Sequence, residues 1–201
     1  MARRSEPRQT MRPAPTRPLL PIGRVVLLAV TAVFAATVVV FAVMHLLTFP
    51  HLAEIAGSRP FDTRFLGYDR AAAVAFLKAL GPIGRGEYLQ VQLALDTVFP
   101  FLYGVSLSLI LAEIFGRAGL SARLAFLAAI LVVAPTAALD LAENAAIAEM
   151  LRRPPDAVGA ELVAAASLRT TLKWAAALAG LAIAGLALLV AWRRSRRDDM
   201  Q

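Results

Sequence analysis

Four apolar runs of bilayer-crossing length leave this chain a narrow choice of folds. In hydrocarbon, backbone N–H and C=O groups must find partners within the protein, which restricts spanning segments to helices or closed barrels. The runs are too long for barrel strands, and each matches the roughly 20 residues that a helix needs to cross. They cover about residues 25–47, 89–115, 124–144 and 174–192. The expected fold is therefore all-α, a four-helix transmembrane bundle. The first run, Val25 to Leu47, has 23 residues, beyond the roughly 7–15 of a cleavable signal core, and lacks a small-x-small cleavage pattern. It reads as a retained span. Trp174 and Trp192 bracket the fourth run as interfacial aromatics do.

Charge sets the expected topology. The net charge of +7 is concentrated at the two ends. Arg3, Arg4, Arg8, Arg12, Arg17 and Arg24 precede the first run, Arg117 and Arg123 lie between the second and third, and Arg193, Arg194, Arg196 and Arg197 follow the fourth. The excess of positive charge on this side predicts that both termini are cytoplasmic, in a bacterial inner membrane. Residues 1–22 hold five prolines and five arginines with little apolar content, the composition of a disordered tail. The domain layout is thus a basic cytoplasmic tail over 1–22, a four-span membrane domain over 23–192 and a cytoplasmic tail over 193–201. Arg3-Arg4 lacks the hydrophobic neighbours of a twin-arginine export signal.

The first exoplasmic loop carries a helix of its own. Asp69 is placed to cap a helix from Arg70 to Leu80, which Gly81-Pro82 then ends. It is too short to span, so the reading is an interfacial helix on the membrane surface or across the bundle mouth. Pro154-Pro155 breaks the chain again, and Asp156 is expected to start the helix that runs into span four.

Composition also excludes chemistry. The chain has no cysteine, which rules out disulfides, thiolate metal sites and dithiol redox reactions. His45 and His51 are too few for an imidazole-rich metal centre. No cofactor is implied. A net positive charge concentrated at the ends suits anionic lipid headgroups and argues against nucleic acid as a partner. The glycines of Gly81 to Gly86 resemble a phosphate loop only in composition, since no P-loop lysine follows and no strand precedes. There is no nucleophile elbow, metalloprotease helix or dinucleotide fingerprint.

What remains is a set of polar residues inside apolar sequence. From Arg123, sixteen uncharged residues lead to Asp140, roughly 25 Å along a helix and about one turn inside the outer boundary. Asp96 reaches a similar height on span two, His45 marks the outer end of span one, and Arg169 and Lys173 mark that of span four. Thr136, Asp140, Glu143, Asn144 and Ile147 share one helical face, as do Gln92, Asp96, Phe99 and Tyr103. Pro100 and Pro135 each remove a helical hydrogen bond and free the carbonyls of Asp96 and Leu131 for other donors.

The candidate ligand-binding residues are therefore Gln92, Asp96, Tyr103, Asp140, Glu143, Asn144, His45, Arg169 and Lys173, gathered in one outer-leaflet polar pocket. Three readings compete. The pocket binds or moves a small polar, cationic or lipid-headgroup ligand. Alternatively, Asp140 and Glu143 pair with Arg169, Lys173 or Arg85 as salt bridges in a structural or assembly subunit. In the third reading, paired carboxylates serve an intramembrane enzyme acting on lipid. His45 needs no role beyond a hydrogen bond to a backbone carbonyl. Ala176, Gly180 and Ala184 form a small-residue stripe suited to packing within the bundle, to a homo-oligomer or to a partner membrane protein.

Overall fold

A computed structural model of the protein describes residues 21–198. Among them there is no strand, and the α-helices are α1 (Pro21–Val43), α2 (Phe49–Ala56), α3 (Arg70–Glu87), α4 (Leu93–Arg117), α5 (Ala122–Arg152) and α6 (Ala160–Asp198). A π-helical turn at Met44–Thr48 joins α1 to α2, and another at Tyr88–Gln92 joins α3 to α4. Four long helical segments result among the described residues, each long and apolar enough to cross a membrane. The tail expected over residues 1–22 lies outside the described residues except for Pro21 and Ile22, which begin α1. At the other end, α6 continues as helix to Asp198.

At the end where α5 stops and α6 begins, the helices overrun the expected spans because a second layer of protein covers them. α2, α3 and the last turns of α5 enclose a core that includes Leu52, Phe61, Phe76, Leu77, Leu80, Tyr88, Ile147, Met150, Val158 and Val163. Burial there satisfies apolar side chains that would otherwise stop where hydrocarbon stops. The helix over Arg70 to Leu80 forms as its sequence predicts. Asp69 Oδ1 accepts from the Ala72 N–H at 2.7 Å, and Gly81 breaks the helix with φ 64° and ψ −177°. Its buried residues Ala73, Phe76, Leu77 and Leu80 follow helical spacing and face this core.

One expected helix start is wrong. Asp156 lies in the 3-10 turn Pro155–Ala157, and the last helix begins at Ala160. The Asp156 carboxylate instead pairs with Lys78 at 2.6 Å. Arg70 also donates to the Val158 carbonyl at 2.8 Å, so this turn is tied to α3.

In the membrane layer, α4 packs along α5, α5 along α6, and α1 leans chiefly on α4. The small-residue stripe of α6 is used inside the bundle, where Gly180 faces Val132 of α5 so closely that a Cβ would lie 3.3 Å from Val132 Cγ1. Ala184 packs against the second core, formed by Tyr103, Leu111, Phe115, Ala125, Ala129 and Val133. Leu178, Leu181 and Leu186 point outward.

The π turn at Met44–Thr48 has a local cause. Pro50 lacks an N–H and crowds the carbonyl one turn earlier, and a widened turn just before it relieves both problems. The two π turns meet each other: Thr48 Oγ1 donates to Gln92 Oε1.

Candidate ligand-binding site

The face of α5 predicted from helical phase is buried as a unit at Asp140, Glu143, Asn144 and Ile147. Opposite it, α6 presents Val163, Ala166, Thr170 and Lys173, all buried at helical spacing. Lys173 Nζ donates to Asp140 Oδ1 at 2.9 Å and also pairs with Glu143 Oε2. Tyr103 Oη donates to Asp140 Oδ2 at 3.1 Å. Thr170 Oγ1 donates to Glu143 Oε1 at 2.5 Å. One ammonium and two hydroxyls therefore serve these two carboxylates.

Asn144 performs a different task. Its Nδ2 donates to the Asp96 carbonyl at 2.9 Å, the oxygen that Pro100 deprives of a helical N–H. An amide side chain of α5 thus replaces the missing backbone bond of α4.

The remaining expected residues divide. His45 borders the same cavity as Asp96, Tyr103, Asp140 and Lys173. It bonds the Phe41 carbonyl at 3.1 Å and stacks on the Phe41 ring, which is the plain backbone role open to it. Gln92 is buried but turned toward Thr48. Arg169 is half-buried and makes no ion pair among the described residues. It sits roughly 80° round α6 from the middle of the inward face, at about 100° per residue. Arg85 is likewise not a partner of the acidic pair. Its guanidinium donates to the Arg153 carbonyl at 2.8 Å, beside the end of α5.

Sequence reasoning missed Asp62, which lies in the 3-10 turn Phe61–Thr63 of the first loop. Its neighbours fix it from three elements. Tyr88 Oη donates to Asp62 Oδ2 and in turn accepts from the Phe61 N–H at 3.1 Å. Trp174 Nε1 donates to the Asp62 carbonyl at 3.2 Å. The Tyr68 N–H donates to Ser167 Oγ at 2.7 Å. The Arg64 guanidinium lies over the rings of Phe61, Tyr68 and Phe76, and burial draws its pKa below the usual arginine range. Burial raises the Tyr68 phenol above the usual tyrosine range, and the Glu143 and Asp62 charges push it the same way.

The loop delivers Asp62 to Asp96, within side-chain hydrogen-bonding reach. Both residues are 3% exposed. Apart from that contact within the pair, no protein hydrogen bond reaches Asp62 Oδ1 or Asp96 Oδ2. The pair thus contrasts with Asp140 and Glu143, which are met by Lys173, Tyr103 and Thr170.

All this surrounds one cavity of about 520 Å³. Its walls are Phe34, Thr37, Val38 and Phe41 of α1, Phe99, Ser106 and Leu107 of α4, and Trp174 and Ala177 of α6, with Asp62, Asp96, Asp140 and Lys173 at one end. From Asp96 to Leu107 the trough follows α4 for roughly 16 Å. One end is acidic and the length is apolar and aromatic. Four carboxyl groups, Asp62, Asp96, Asp140 and Glu143, share this buried region with one ammonium, Lys173, among the described residues. Such an excess of acid in low dielectric calls for protons or a cationic partner. Among the described residues, no three acidic or histidine side chains are grouped to hold a metal ion.

No protein-family model, curated protein or solved structure matches the chain.

Proposed function

We propose that this is a multi-pass inner-membrane protein that binds or moves a small polar, cationic or lipid-headgroup ligand in the cavity between α1, α4, α5 and α6. The observation that carries this reading is the pair of buried carboxyl oxygens, Asp62 Oδ1 and Asp96 Oδ2, which border a ligand-sized cavity and receive no donor from any group outside the pair.

The salt-bridge reading keeps a specific part of the site. Lys173 pairs with both Asp140 and Glu143 and so joins α5 to α6. The two roles are thus assigned to neighbouring carboxylates, with Asp140 and Glu143 structural and Asp62 and Asp96 facing a ligand.

Amide substitution separates them. Asp96→Asn is expected to purify folded but to lose the lipids or solutes retained by the wild type, as read by mass spectrometry of the extracted protein. Asp140→Asn and Glu143→Gln are expected to lower folded yield. Unchanged retention in Asp96→Asn would remove the binding reading.

The arginines flanking the first and fourth spans support cytoplasmic termini. Ser58 is exposed beyond α2, so Ser58→Cys should react with an impermeant thiol reagent in intact cells, with no native cysteine to compete. Labelling only after permeabilisation would invert the topology.

A further inference from the structure

The acceptors and donors bordering the cavity narrow the ligand class. Of the cavity-lining side chains, those with buried polar atoms left without a partner are Asp62 and Asp96, and both atoms are acceptors. Lys173, the cation at the same end, already bonds Asp140 and pairs with Glu143. An anionic head would meet a neutralised lysine and two carboxyls. A group that donates and carries positive charge would satisfy both acceptors at once.

The surroundings of the pair favour an ammonium over a bare ion. Phe41, Phe99 and Tyr103 border the same cavity, with Phe99 and Tyr103 edge to face at 5.0 Å. Aromatic faces attract a cationic ammonium through their quadrupole. Beyond them the walls are mostly apolar along the trough, with Phe34, Val38 and Leu107, and the Thr37 and Ser106 hydroxyls there bond each other at 2.9 Å. The volume of about 520 Å³ is that of one drug-sized ligand, with room for a head and one chain. Because α1 rests chiefly on α4 while α6 packs on α5, the trough lies between two walls that are not packed tightly on each other.

Resting on the ligand-binding reading above, we propose that the cavity takes a single-chain amphiphile with a cationic ammonium head, held against the Asp62 and Asp96 carboxyls with its chain along α1, α4 and α6. The full-length protein in phosphatidylcholine nanodiscs is titrated with radiolabelled dodecylamine, and protein-free discs are subtracted. Dodecanol and dodecanoate supply neutral and anionic heads on the same chain. Dodecylamine is expected to bind at least about tenfold more tightly than either, the effect of one charge-assisted hydrogen bond. Asp96→Asn and Asp62→Asn are each expected to remove that preference. They lie on different elements, so a folding failure of one leaves the other to decide. Ala177→Trp fills the trough away from the acidic end and is expected to weaken dodecylamine binding without lowering the thermal midpoint.

Equal binding of dodecanol and dodecylamine, or tighter binding of dodecanoate, overturns the ammonium assignment. If those competitors are in turn lost in Ala177→Trp, the cavity still holds a ligand and only its class is wrong. If no probe binds above the protein-free discs, the ligand-binding reading falls too. Displacement of dodecylamine by lysophosphatidylethanolamine marks a membrane lipid as the source of the head. Displacement by unlabelled dodecylamine alone marks a free amine, and either result supports the assignment.

Discussion

Two acidic pairs share the same buried region and are treated in opposite ways by the fold. Asp140 and Glu143 stand on one helix face and are met by Lys173, Tyr103 and Thr170. Asp62 and Asp96 come from a loop and a different helix, and each keeps an oxygen that no donor outside the pair reaches. The difference teaches that burial of a carboxylate does not by itself mark function. A satisfied pair links helices, and removing one partner exposes the cost of burying the other. An unsatisfied pair beside a cavity leaves binding capacity that only something outside the chain can use.

The contrast is most exposed to attack at Lys173. Lys173→Met leaves Asp140 and Glu143 buried without their cation and should cost about 3–5 kcal/mol, read as a loss of folded yield or a lowered unfolding midpoint. Wild-type stability in that variant would end the distinction between the pairs. Thr170→Val keeps the shape but removes the donor to Glu143 Oε1, and about 1.5–3 kcal/mol is expected for a hydrogen bond to a charged group. Gly67→Ala probes the loop that carries Asp62. Gly67 has φ +83°, and an added Cβ would lie 2.6 Å from Ser167 Oγ, so about 1–3 kcal/mol of strain should appear in thermal melts. The smallest effect is assigned to Asp96→Asn, under about 1 kcal/mol in either direction, because no protein donor is lost from Oδ2. A large destabilisation there would show that Asp96 belongs with the structural pair.

Much of this arrangement was legible in the sequence, for identifiable reasons. Span number follows from hydrocarbon thickness, and the buried face of Asp140, Glu143 and Asn144 from helical period. The freed carbonyl of Asp96 follows from the chemistry of Pro100. Asp69 and Gly81 announce the ends of a loop helix by capping and backbone freedom. Asp62 carries no such signal, because a 3-10 turn in a long loop has no periodicity to fix its depth. Its partners Tyr88 and Trp174 are 26 and 112 residues away. The spacing of Arg169 from Lys173 points to the site, yet an offset of roughly 80° leaves it at the edge of the inward face. Charge and proximity in sequence suggested a partner that geometry withheld.

The paired π turns have a consequence for the register of the whole molecule. A π turn holds more residues than an α turn, so everything after it is rotated relative to a continuous α-helix. Met44–Thr48 and Tyr88–Gln92 occur together, and each stands between a segment that borders the cavity and one that belongs to the outer core. They act as phase adjusters between two layers with different inward directions. Deleting one residue from either turn would swing one layer against the other by about 100°, taking Leu52 off the outer core in one case or Asp96 off the cavity in the other.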